Sequence, residues 1–213
     1  MPIKNRLTKL CIGWLTAGIV YALSGFITQT VWIVPETYID TLIPFDPAGI
    51  WLYLAFYIYI PYVFIVADTK RVNPMCLAFV LSAVISGVVF MIIPSSMVYP
   101  KIESDGYSTS ILNFVMQTDT PQNCLPSLHG SLLTICTMAV WDERKRIRSV
   151  ACLLMTLLMF YAIIQVRRHL FIDLAAGIGT GIFTYLIAYY IINHYQKWPV
   201  AENENQEKKG ELI

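Results

Sequence analysis

"CIGWLTAGIVYALSGFITQTVWI", residues 11–33, is an apolar stretch without a single charged side chain. It exceeds the roughly 20 residues that a helix needs to cross about 30 Å of hydrocarbon. Five further runs follow, at about 49–67, 75–94, 128–141, 149–166 and 170–192, separated by short polar stretches. The fourth is short and is expected to borrow residues from its flanks. Backbone N–H and C=O groups must be paired inside lipid, and the period-2 alternation of a barrel strand is absent, so the runs are predicted to be helices.

The chain of 213 residues is 56% hydrophobic and only 14% charged, a composition that suits a membrane protein better than a water-soluble globule. The expected fold class is all-α: a six-helix transmembrane bundle over residues 1–198, followed by a disordered polar tail at 199–213. The first run is too long for a signal-peptide core and lacks a small-residue cleavage site, so it is expected to remain as an anchor. Five cysteines without a framework spacing suggest no disulfide scaffold, and a net charge of +1 leaves no footprint for nucleic acid.

Basic residues set the orientation. Lys4, Arg6, Lys9, Lys70, Arg71, Arg144, Lys145, Arg146, Arg148, Lys197, Lys208 and Lys209 all fall on one side if six helices alternate. The positive-inside rule then puts both termini in the cytoplasm, with Lys101, Arg167 and Arg168 on the outer side. That outer side also receives His129 at the start of the fourth run, and His169 and Asp173 at the start of the sixth.

His169 and Asp173 are spaced i, i+4, so a helix would put the carboxylate within reach of the imidazole. An Asp inside a membrane helix costs about 2.5–3.5 kcal/mol on insertion scales and needs a partner. A carboxylate on one ring nitrogen fixes the tautomer and leaves the other free to attack. Pro126 suits a first helical turn and Ser127 a cap, and free N–H groups there attract an anion. His129 in that turn, where the helix dipole disfavours its cationic form, can give and take a proton. The plainer reading of each residue alone is structural: a boundary histidine, a helix start, and snorkelling arginines.

Together, "PSLH" at 126–129 and "RRHLFIDLAAG" at 167–177 resemble the second and third motifs of the type 2 phosphatidic acid phosphatase superfamily. "DTLIPFDPAGIWLYLAFYIYIP", 40–61, also resembles the second-helix approach of bacterial members, and the likeness extends over roughly residues 35–192. The resemblance implies a metal-independent reaction through a phosphohistidine, with no cofactor. His169 would be the nucleophile, Asp173 its orienting carboxylate and His129 the general acid. Ser127 and the backbone around Leu128 would hold phosphate oxygens. The family's first motif, K-x6-R-P, is altered: in "IIPSSMVYPK", 92–101, alignment on Pro100 puts Tyr99 at the arginine and Ile92 at the lysine. Phosphate charge would then rest on Arg167, Arg168 and Lys101.

The implied substrate is a membrane lipid phosphate or diphosphate, and the implied setting a bacterial inner membrane with the site facing the periplasm; the segment 108–119, apolar at helix-like spacing, reads either as an interfacial lid or as a packed loop between the third and fourth helices. A phosphotransferase passing the group to an alcohol remains open, because "PSLHG" also resembles inositolphosphoryl-ceramide synthase. A transporter or non-catalytic bundle is the third reading. Transport sites sit near the bilayer midplane, whereas these residues gather at one surface.

Overall fold

The computed structural model describes residues 1–26, 31–102, 106–118 and 123–195. The expected tail at 199–213 lies outside the described residues. The elements are α1 (Ile3–Ser24), β1 (Trp32–Ile33), α2 (Tyr38–Leu42), α3 (Ile50–Leu54), α4 (Phe56–Val66), α5 (Thr69–Ile92), β2 (Ser95–Ser96), α6 (Tyr107–Thr118), α7 (Leu128–Val140), α8 (Arg146–Gln165) and α9 (Phe171–Tyr195). The chain is thus overwhelmingly helical. Among the described residues, five segments are long and apolar enough to cross a membrane: Ile3–Ser24, Pro47–Val66, Thr69–Ile92, Glu143–Gln165 and Phe171–His194. Leu128–Val140 is a shorter apolar helix that stops at its own caps instead of borrowing from its flanks.

The first run departs from expectation. Its helix begins at Ile3, where "IKNRLTKL" supplies good helix formers, and 22 residues at about 1.5 Å each have covered about 33 Å by Ser24. Trp32–Ile33, expected to end that helix, instead pairs in parallel with Ser95–Ser96. Trp32 N–H donates to Pro94 O at 2.9 Å, and Val34 N–H to Ser96 O at 2.8 Å. The apolar pattern marks what leaves water; it does not mark where a helix starts.

The surface is apolar and part of the interior polar, as a lipid-facing bundle requires. Leu15, Ile19 and Leu23 of α1, Leu154, Leu157 and Leu158 of α8, and Phe183, Leu186 and Tyr190 of α9 all point outward. Inside, Ser82 Oγ donates to Ser131 Oγ at 2.8 Å, and Thr137, Thr156 and Tyr59 share a buried hydroxyl network. Such small polar residues let helices approach closely in lipid. These properties define a helical membrane protein.

α7 lies at the centre, in contact with α4, α5, α8 and α9. Its approach to α9 depends on two glycines. A methyl group at Gly177 would overlap the Ser127 carbonyl, and one at Gly181 would fall 2.6 Å from Ser131 O.

The basic residues at the end opposite the histidines have structural work beyond topology. Arg6 Nη1 donates to Phe64 O and Ala67 O, Arg71 Nη1 to Met138 O and Trp141 O, and Arg148 to Val66 O and Val140 O. Each guanidinium satisfies carbonyls left over where a helix ends. Asp68 caps α5 there by accepting from Lys70 N–H at 2.9 Å. That hydrogen bond, helped by Lys70, Arg71 and Lys145, holds its carboxyl below the usual range.

Candidate active site

Ser127 is the N-cap of α7, as expected, and its Oγ accepts from Gly130 N–H at 3.1 Å. Pro126 precedes the cap and so lies outside the first turn where it was expected. Ser127 N–H donates to Asp173 O at 3.0 Å, which joins the start of α7 directly to the start of α9. His129 is carried on the first turn of α7 and half-buried. Its Nε2 shares a 3.0 Å hydrogen bond with Tyr53 OH, and its ring lies 4.8 Å from that of Phe56.

The link between α8 and α9 is sharper and more buried than an outer loop should be. α8 ends in a Schellman turn: Arg168 N–H donates to Ile163 O and Arg167 N–H to Ile164 O, with Arg167 at φ 51°. That left-handed position normally takes glycine or asparagine. Val166, Arg167, Arg168, His169 and Leu170 are each at most 9% exposed. The turn folds His169 back into the bundle instead of leaving it at the water boundary.

The two histidines meet. Their ring centroids are 5.6 Å apart, and both line one cavity of about 410 Å³ whose other walls include Trp14 and Tyr21 of α1, Tyr57 of α4, and Phe114 and Val115 of α6. Asp173 is wholly buried, with Oδ2 3.8 Å from His169 Nδ1. That is ion-pair contact but too long for the expected hydrogen bond. The same Oδ2 accepts from Leu170 N–H at 3.0 Å, so Asp173 also closes the first turn of α9 in the manner of a capping box.

The three expected phosphate cations stand elsewhere. Arg167 donates from Nη1 to Ile164 O and from Nη2 to Asp40 O and Ile43 O, with Nε 3.7 Å from Glu36. Its guanidinium holds the turn beneath α2 and is not on the wall of the histidine cavity, where a phosphate ligand was expected. Arg168 is 5% exposed and lies over the ring of Tyr99, 5.5 Å from its centroid. Tyr99, the residue aligned by resemblance with the first motif's arginine, thus carries an arginine on its face. Lys101 is exposed, and among the described residues no lysine or arginine lines the histidine cavity. The segment 108–119 forms α6 up to Thr118, held by Trp51 Nε1 donating to Ser108 Oγ at 3.0 Å, and it covers one side of the cavity.

Three residues escaped the sequence reading. Asp40 is completely buried: Oδ2 accepts from Thr37 N–H and Thr37 Oγ1, and Oδ1 from Phe171 N–H at 2.8 Å. Its signal was the Thr-x-x-Asp capping box at 37–40. Tyr53 reaches His129 from 76 positions away, and no local pattern marks it. Cys124 lies beside His169 and Asp173, one donor atom from each within 4.8 Å of the other two.

Compared with known proteins, the chain matches no family model and no curated protein.

Proposed function

We propose that the protein is an integral-membrane lipid phosphatase that removes a phosphate through a phosphohistidine at His169, without requiring a metal. One observation carries the reading. Segments forty residues apart present His129 and His169 on the wall of the same aromatic cavity, 5.6 Å between ring centroids, with an Asp173 carboxylate against the second. The motif resemblance supplies the chemistry for that pair.

In this reading the free nitrogen of His169 attacks phosphorus, and an N–P bond forms as the lipid P–O bond breaks. His129 gives its proton to the departing alkoxide. Water then attacks the phosphohistidine, His129 takes a proton from it, inorganic phosphate leaves and His169 is restored. Asp173 stabilises the positive charge that His169 gains on attack. The Tyr53 hydroxyl fixes the His129 ring through its hydrogen bond to Nε2. Phosphate charge is met by the backbone at the start of α7 around Leu128 and by Arg168 on Tyr99, with Lys101 nearer water, while Ser127, buried with its N–H on Asp173 O and its Oγ on Gly130 N–H, caps the helix. Arg167 acts as a strut.

With α7 counted as a sixth, recessed helix, both termini are cytoplasmic and the histidines open toward the outer leaflet. The setting is a bacterial inner membrane with the site toward the periplasm. A lipid reaches the cavity sideways between α1, α4 and α6, its tail against Trp14, Tyr57 and Phe114. The test is inorganic phosphate release in detergent with EDTA from phosphatidate, phosphatidylglycerophosphate, a prenyl diphosphate and lipid A, beside His169→Ala. Release by wild type that disappears in His169→Ala is expected. No release from any lipid, or release that survives the substitution, would overturn the reading. Turnover that appears only with an added alcohol acceptor would favour the phosphotransferase.

A further inference from the structure

Around His169 and Asp173 lies a constellation with a third member, Cys124, that the phosphatase reading leaves unused. Cys124, His169 and Asp173 each offer one ligand atom, all within 4.8 Å of one another. They are 3%, 6% and 0% exposed. His169 Nδ1 and Asp173 Oδ1 have no hydrogen-bond partner although both atoms are buried. A buried polar atom left unsatisfied costs about 1–3 kcal/mol, so both atoms call for a partner that no other side chain supplies. Cys124 is positioned: its N–H donates to Ser95 O at 3.1 Å, and it packs with Val34, Met97 and Leu170.

We propose that Cys124, His169 and Asp173 form a binding site for one thiophilic divalent cation of the Zn²⁺ class, whose occupancy switches the nucleophile off. The chemistry selects the ion. Thiolate and imidazole suit Zn²⁺ and exclude Mg²⁺ and Ca²⁺, which take oxygen ligands. A thiolate and a carboxylate around a divalent ion sum to zero charge, as a buried site requires. A tetrahedral zinc holds such ligands about 3.4–3.6 Å apart. His169 Nδ1 and Asp173 Oδ2 are already at 3.8 Å, and Cys124 Sγ, within 4.8 Å of a ligand atom of each, has at most about 1.4 Å to close. Three protein ligands leave a fourth position for water.

The effect on catalysis follows from the tautomer and rests on the phosphatase reading; the binding claim does not. Attack in the phosphatase reading needs the Nε2 lone pair of His169, with the imidazole proton on Nδ1, the nitrogen that faces Asp173. A cation on Nδ1 displaces that proton, neutral imidazole then carries its proton on Nε2, and no lone pair is left. The Cys124 thiol releases its proton to solvent as the cation binds. Cation and phosphoryl group therefore exclude each other at His169.

The decisive experiment titrates Co²⁺, a coloured stand-in for zinc, into EDTA-stripped and re-equilibrated protein in detergent. The expected result is a thiolate-to-cobalt charge-transfer band that saturates at one equivalent and is absent in Cys124→Ser. Asp173→Asn should raise the half-saturating Co²⁺ at least about tenfold, since loss of even an outer partner of a metal ligand costs 10–100-fold. Size-exclusion elution and thermal unfolding show that each variant is folded. No band in wild type, or an equal band in Cys124→Ser, would overturn the site. A parallel assay follows phosphate release with added Zn²⁺. The half-inhibiting concentration should rise at least about tenfold in Cys124→Ser, matching the loss of a ligand, and equal inhibition of both proteins would overturn the switch. If no lipid is hydrolysed, the function proposed above falls while the cobalt band still decides the cation site.

Discussion

Asp40→Ala tests how the site is held, because one buried carboxylate ties α2 to α9. Its three contacts are short: Thr37 N–H at 2.8 Å, Thr37 Oγ1 at 2.7 Å and Phe171 N–H at 2.8 Å. Truncation leaves the Phe171 N–H unsatisfied in a part-buried place, at about 1–3 kcal/mol, and removes a capping box worth about 1 kcal/mol. Relief from burying a charge offsets some of this. The net expectation is a loss of about 3 kcal/mol, or about 6–12 °C in the unfolding midpoint of a chain this size. Asn at 40 keeps one good acceptor and should fall between wild type and Ala. Asp46→Ala is the control: Asp46 also caps, accepting from Ala48 N–H at 2.8 Å, but it is exposed and water replaces it. The assay is thermal unfolding in detergent followed by intrinsic fluorescence. An Asp40→Ala midpoint within about 2 °C of wild type, or no lower than that of Asp46→Ala, would refute the reasoning.

Tyr53→Phe removes the hydroxyl on His129 Nε2 while keeping the ring that packs against it; a lost hydrogen bond of about 1 kcal/mol predicts a kcat for lipid phosphate hydrolysis roughly fivefold lower with little change in KM, measured as initial rates of phosphate release. Gly177→Ala puts a methyl group into the Ser127 carbonyl and should cost about 1–3 kcal/mol by overpacking, read as a lower unfolding midpoint, together with lower activity because the cap of the His129 helix is pushed aside.

Helix positions were legible because hydrocarbon thickness dictates them. The runs at 49–67, 128–141 and 170–192 each lie within a few residues of Pro47–Val66, Leu128–Val140 and Phe171–Tyr195. The first run misled because Trp32 and Ile33 are apolar for another purpose, the pairing of β1 with β2. The spacing of His129, His169 and Asp173 was readable because each lies in the first turn of a helix or immediately before it. Burial of Arg167 and Arg168 was not readable. A charged pair in a short link looks like a surface feature until the carbonyls of Asp40 and Ile43 and the ring of Tyr99 are brought to it. Those partners come from elements more than sixty residues away, and only the tertiary fold supplies them.

The short α7 explains why phosphate chemistry would sit in an aromatic cavity. Its 13 residues rise about 20 Å, against about 33–36 Å for α1 and α5. Arg71 on Trp141 O and Arg148 on Val140 O fix its far end level with the other helix ends on that side. Ser127 and His129 therefore stop roughly 13–16 Å short of the depth that the longer helices span. The missing length is filled by the β1–β2 pair, the Ser95–Cys124 contact and α6. On the proposed reading, a lipid phosphate must leave water to reach His169, and no lysine or arginine among the described residues meets it on the cavity wall. On that reading its hydration is replaced by oriented backbone at the start of α7, together with Arg168, next to His169 in the chain and held on the Tyr99 ring. A phosphomonoester stripped of water in this way is destabilised until its charge spreads in the transition state, where fixed dipoles cost nothing to reorganise. The recess that shortens α7 is then part of the catalytic device, and lengthening α7 into a full span would remove it.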